Sequence, residues 1–133
     1  VGHCVDARTG KILWSVDLPA AEESPYAYGF SDASSPTPVT DGRRVWFVNA
    51  SGHLACCDFS GRVLWRRAWK PTTGRPFNKQ FEPILAGGVL LNVEPRDPDD
   101  FRRERDPWNW LRALDPATGK TLWSAEDPLT HYN

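Results

Sequence analysis

The stretch Gly74-Arg75-Pro76-Phe77-Asn78-Lys79-Gln80-Phe81-Glu82 carries two cations, an amide and a carboxylate in close succession. Arg75, Asn78 and Lys79 offer only donors or mixed donors, which suits an anionic ligand, and Glu82 adds an acceptor where a strand is about to begin. A second stretch, Pro25-Tyr26-Ala27-Tyr28-Gly29-Phe30-Ser31-Asp32, sets aromatic rings beside the Asp32 carboxylate. The plainer reading of the first stretch is an ordinary hydrogen-bonded connection. That of the second is a loop packed by its own aromatics. Cys56-Cys57 places two thiols side by side.

Other chemistries find no footing. His3, His53 and His131 stand apart, with no ligand-like spacing to one another or to a cysteine pair, so no zinc site is expected. Asp97, Asp99 and Asp100 lack the glycine and terminal glutamate of a calcium loop, and no metal site is expected there. No Ser-His-Asp order, phosphate-cradling glycine loop or nucleophile elbow is present, so no catalytic residue is assigned. The charge is balanced, with 16 basic and 17 acidic residues, which gives no basic field for nucleic acid. No apolar run is long enough to span a membrane.

The elements that must position these residues come from a phrase written three times. Cys4-Val5-Asp6-Ala7-Arg8-Thr9-Gly10-Lys11-Ile12-Leu13-Trp14 returns as Ala113-Leu114-Asp115-Pro116-Ala117-Thr118-Gly119-Lys120-Thr121-Leu122-Trp123. A copy one residue shorter, Cys56-Cys57-Asp58-Phe59-Ser60-Gly61-Arg62-Val63-Leu64-Trp65, lies between them. Each reads as strand, tight turn, strand. Asp6, Asp58 and Asp115 can accept from turn N–H groups, and Gly10, Gly61 and Gly119 supply the positive φ. Repeats about 50 to 60 residues apart signal a propeller or solenoid, whose units bury their faces only against neighbours.

Further strands complete the unit. Residues 44–49 are β-branched and aromatic, between the turn signals Asp41-Gly42 and Ser51-Gly52. Ser35-Pro36-Thr37-Pro38-Val39 precedes them as an irregular strand, because proline removes a ladder donor. In the third unit, residues 82–85, 89–93, 110–114 and 121–124 are expected strands, and no amphipathic helix is expected. The fold class is therefore all-β, a propeller of four-stranded antiparallel blades. About two and a half blades are present: a blade end at 1–18, a blade at 35–69 and a blade at 81–126. The chain starts in mid-blade at Val1-Gly2-His3, so it is expected to be part of a longer protein.

The Ala/Cys-x-Asp-x-x-Thr-Gly-Lys-x-x-Trp phrase resembles the tryptophan-docking motif of the quinoprotein-like (PQQ-like) β-propeller repeats. That resemblance covers nearly the whole chain and implies an eight-bladed ring. It implies that Trp14, Trp65 and Trp123 pack between neighbouring blades, each burying about 150–250 Å². It also implies an extracytoplasmic home, often the bacterial periplasm, and further blades of the same chain as the first partners. Quinoprotein alcohol dehydrogenases carry a vicinal disulfide ring beside their cofactor. Here the Cys56-Cys57 pair sits inside a motif strand, where successive side chains point to opposite faces, and both are read as structural thiols. Cys4, Cys56 and Ala113 share one repeat position, which asks for a small residue.

Loop lengths are uneven in an ordered way. Every turn at one end of the strands is short, whereas the stretches 19–34, 71–80 and 95–108 gather at the other end. Loops on a rigid scaffold carry function, so the long-loop end is the expected binding face, open to a protein partner. The insertion 94–106, with six acids and four arginines, reads as a solvated loop. Two functions follow. The first is a binding or assembly scaffold with no catalytic site and no cofactor. The alternative is part of a quinoprotein dehydrogenase that oxidises alcohols or sugars with pyrroloquinoline quinone and calcium, for which Asp32, Arg75, Asn78 and Glu82 would be the site candidates.

Overall fold

A computed structural model of the chain describes residues 1–19, 36–49, 51–70, 82–95 and 109–126. These form three antiparallel sheets of strands in chain order. The first sheet has two strands, β1 (Gly2–Val5) and β2 (Ile12–Val16). The second has four: β3 (Val39–Thr40), β4 (Arg44–Asn49), β5 (His53–Asp58) and β6 (Val63–Ala68). The third has β7 (Ile84–Ala86), β8 (Val89–Pro95), β9 (Asn109–Leu114) and β10 (Thr121–Glu126). Among the described residues there is no helix, and none long and apolar enough to cross a membrane.

Two differences from the sequence reading have physical causes. β3 begins only at Val39, because Pro36 and Pro38 cannot donate to the ladder. β8 runs two residues further than the apolar run suggests: Glu94 is in the strand, opposite Trp110, and 5% exposed, so it is not part of a solvated loop.

The core lies in two layers on either side of the second sheet. β4 alternates: Val45 and Phe47 face the first sheet, and Trp46 and Val48 face the third. Phe47 meets Trp14 edge to face, with ring centroids 6.1 Å apart. The other layer joins Trp46, Val48, Leu54 and Cys56 to Leu90 and Leu114 of the third sheet.

A β-bulge recurs in each outer strand. Cys4 pairs Trp14 and Val5 pairs Ile12, so Leu13 is left over. Leu64 is left over between Val63 and Trp65 in the same way, and Leu122 between Thr121 and Trp123. The extra residue resets the alternation. Val63 packs backward with Cys57 against the first sheet, whereas Trp65 packs forward with Cys56 against the third. Directly across from each motif tryptophan stands the small residue of the repeat, Cys4, Cys56 or Ala113.

The three cysteines are free thiols, and Cys56 and Cys57 point into opposite layers. Burial pushes Cys56 up to about 12 and raises Cys57 as well. The thiolate is the reactive form, so both are protected. Brief alkylation of the folded chain is expected to label Cys4 alone, and all three sites should react in denaturant. Mass mapping that finds Cys56 or Cys57 labelled in the folded chain would contradict this packing.

Candidate functional site

The sheets have two unlike ends. At one end lie the short turns. Asp6 Oδ1 accepts from the N–H groups of Arg8 and Thr9, at 2.8 and 3.1 Å. Asp58 Oδ1 accepts from Ser60 N and Arg62 N, and Asp115 Oδ1 from Ala117 N. These contacts, led by the Arg8 N–H, the Ser60 hydroxyl and the Ala117 N–H respectively, hold the three carboxyls below their ordinary value.

Those rigid turns receive the tryptophans. Trp14 Nε1 donates to Phe59 O at 3.0 Å, and Trp65 Nε1 donates to Pro116 O at 3.0 Å. Each indole therefore caps a carbonyl in the motif turn of the next sheet. Its ring lies on the glycine of that turn. A Cβ on Gly61 would sit 2.8 Å from the Trp14 ring, and one on Gly119 2.6 Å from the Trp65 ring. Both glycines also have positive φ, +87° and +71°. Gly10 shares the +71° φ but has no neighbour within 4 Å, and Trp123 is 48% exposed.

At the opposite end, where the connections spanning 17–38, 50–52, 69–83 and 96–108 begin and return, the sheets are joined by polar groups. Arg67 of β6 makes a fork onto Glu94 of β8, with Nε to Oε1 at 2.6 Å and Nη2 to Oε2 at 2.9 Å. Asn92 donates to the same carboxylate, and Arg112 Nε lies 3.5 Å from Oε2 while stacked on the Trp110 ring. This is a buried acid shared by two arginines, the arrangement in which such a pair sets geometry more than it adds stability. Arg66, next along β6, points the other way, toward the first sheet, and donates to Asp17 O at 2.7 Å.

Of the binding candidates from sequence, Asp32, Arg75, Asn78 and Lys79 lie outside the described residues. Glu82 is exposed beside β7 and accepts from the Thr37 hydroxyl at 2.7 Å, which ties the entrance of β7 to that of β3. Of the candidates for a quinone with calcium, only Glu82 is among the described residues. Glu82 Oε1 is engaged by Thr37, the adjacent cysteines face apart, and no grouping of three His, Cys, Asp or Glu among these residues could hold a metal. Sequence reasoning missed Glu94, Arg66, Arg67, His53 and Asn49. The available signal was strand alternation: Leu90, Asn92 and Glu94 share one face, and adjacent arginines on a strand must reach opposite neighbours.

The tryptophan contact can be weighed by substitution. Trp65→Ala is expected to lower stability by about 3–5 kcal/mol, the range for truncating a core aromatic. Gly119→Ala and Gly10→Ala carry the same left-handed strain, of about 1 kcal/mol. Gly119→Ala is expected to cost about 1–3 kcal/mol more, because its Cβ strikes the indole. Urea unfolding measures all three, and equal losses at the two glycines would refute the contact.

A family model described as outer membrane protein assembly factor BamB (PQQ_2) matches residues 1–132. A curated relative, the outer membrane protein assembly factor BamB of Burkholderia pseudomallei (strain K96243), is 27% identical over 120 residues, covering 90% of this chain and 26% of the relative. Among solved structures, BamB from Moraxella catarrhalis superposes with a TM-score of 0.56 at 17% identity, over 92% of this chain and 29% of that one. The chain thus spans about a quarter of the length of these proteins. With three antiparallel sheets joined turn to tryptophan and a match along almost its entire length, the chain belongs to the PQQ-like β-propeller family of the BamB type.

Proposed function

We propose that this chain is part of an extracytoplasmic assembly scaffold that serves outer-membrane protein assembly through protein contacts at its long-connection end. The observation that carries the reading is the division of labour between the two ends. At the turn end, motif carboxylates, glycines and tryptophans are engaged in holding one sheet to the next. The long connections enter and leave at the other end, on a base fixed by Arg66, Arg67 and Glu94. The family model and the curated relative, both described as outer membrane protein assembly factor BamB, support the same role. Trp14, Trp65 and Trp123 are read as structural docking residues, the last of them meeting a further blade of the ring.

Replacing the matching part of the Burkholderia pseudomallei assembly factor by this chain is expected to preserve outer-membrane protein content in cells. The same chimera with its long connections cut to Gly/Ser turns is expected to lose it. Loss in both folded chimeras, or retention in both, would overturn the reading. Calorimetric titration with pyrroloquinoline quinone and calcium should give no saturable heat. A tight, calcium-dependent isotherm would replace the scaffold by the dehydrogenase.

A further inference from the structure

Three successive residues leaving β2 are held by three side chains of the second sheet. Arg66 Nη1 donates to Asp17 O at 2.7 Å, and Asn49 Nδ2 donates to Leu18 O at 2.9 Å. His53 hydrogen-bonds the Pro19 backbone. Arg66 Nη1 also lies 3.1 Å from His53 Nε2. An arginine N–H only donates, so Nε2 is the acceptor and the ring proton sits on Nδ1, where it serves the Pro19 carbonyl. This fixes His53 as a neutral ring, 6% exposed, at the junction of two sheets.

A second proton on Nε2 would point at a guanidinium and find no acceptor. We propose that His53, Arg66 and Asn49 form a pH-sensitive latch between the first and second sheets, released when His53 takes up a proton and expels the Arg66 guanidinium. The charged groups around the ring favour this outcome. β6 contributes Arg66. The segment after β2 contributes Asp17, whose carbonyl is engaged and whose carboxylate is exposed. The end of β4 and its turn contribute Asn49 and Ser51, both neutral.

Burial, and then the Arg66 charge, hold the ring below its ordinary value. The unfolded chain therefore binds the proton first as pH falls through about 6.5. Native stability from this group is complete above that value and declines below it, because the unfolded state then carries the extra proton. This pH response is read at the sheet junction itself, in the absence of any partner of the long connections.

Hydrogen exchange of the peptide spanning residues 13–20 in the full chain, corrected for intrinsic rates, reads the latch directly. Protection is expected to fall by roughly three- to tenfold between about pH 7.5 and about pH 5. His53→Gln keeps an amide acceptor for Arg66 and a donor for Pro19 but does not titrate, so its protection should be flat over that range. Arg66→Leu should expose the peptide already at neutral pH and flatten its acid response. If His53→Gln fails to fold, Arg66→Leu decides. Wild-type protection that ignores pH, or an acid response that survives either substitution, would overturn the proposal.

Discussion

An indole lying flat on a glycine of the next sheet is the contact to which the other motif features answer. The glycine must be bare, since any Cβ would sit inside van der Waals range of the ring. The turn that presents it must be stiff, so an aspartate binds the turn's own N–H groups. The tryptophan must face forward although the strand residues before it face back, so a bulge inverts the alternation at the leucine before it. Its cross-strand partner must be small, and cysteine or alanine stands there in every copy. What reads as a string of separate residue preferences is one steric problem and its solution.

The other end of each sheet interface is solved by different chemistry. Two consecutive residues of β6 reach in opposite directions, Arg66 to a carbonyl of the first sheet and Arg67 to a carboxylate of the third. Apolar docking at one end and charge-assisted hydrogen bonding at the other fix the angle between sheets at two separated points. Hydrophobic contact tolerates sliding, whereas a forked arginine–carboxylate pair does not. The second kind of contact therefore sits where the chain must hold the roots of long connections in register.

Much of the frame was legible in the residues. The thrice-written phrase announced strand, turn and strand, and the roles of Asp6, Asp58 and Asp115 in their turns followed from side-chain length and acceptor chemistry. The bulges were not legible. An Ile-Leu-Trp run reads as ordinary alternation until the pairing across it is known, because a ladder slip leaves no mark in composition. Glu94 was misread for a related reason. It opens a run of charges and prolines, and its burial is offset by partners distant in sequence, Arg67, 27 residues earlier and on another sheet, and Arg112 of the neighbouring strand. His53 likewise looked isolated because its partners, Arg66 and the carbonyl of Pro19, come from other strands and main chain. The polar contacts between repeats are carried by side chains whose spacing in sequence has no period, so the scaffold and its tryptophan docking show themselves and the polar fastenings do not.

The leucine that each bulge expels has a consequence at the rim. The outer strand of a blade offers an unpaired row of N–H and C=O groups, the kind of edge along which a foreign strand can zip. A bulge at Leu13, Leu64 and Leu122 interrupts the regular spacing of that row and increases its local twist. A stranger's backbone would find donors and acceptors in step for only a few residues before falling out of phase. The device that aims the tryptophan inward thus also spoils the outer edge as a template, so each outer strand is a poor seed for strand addition from another chain.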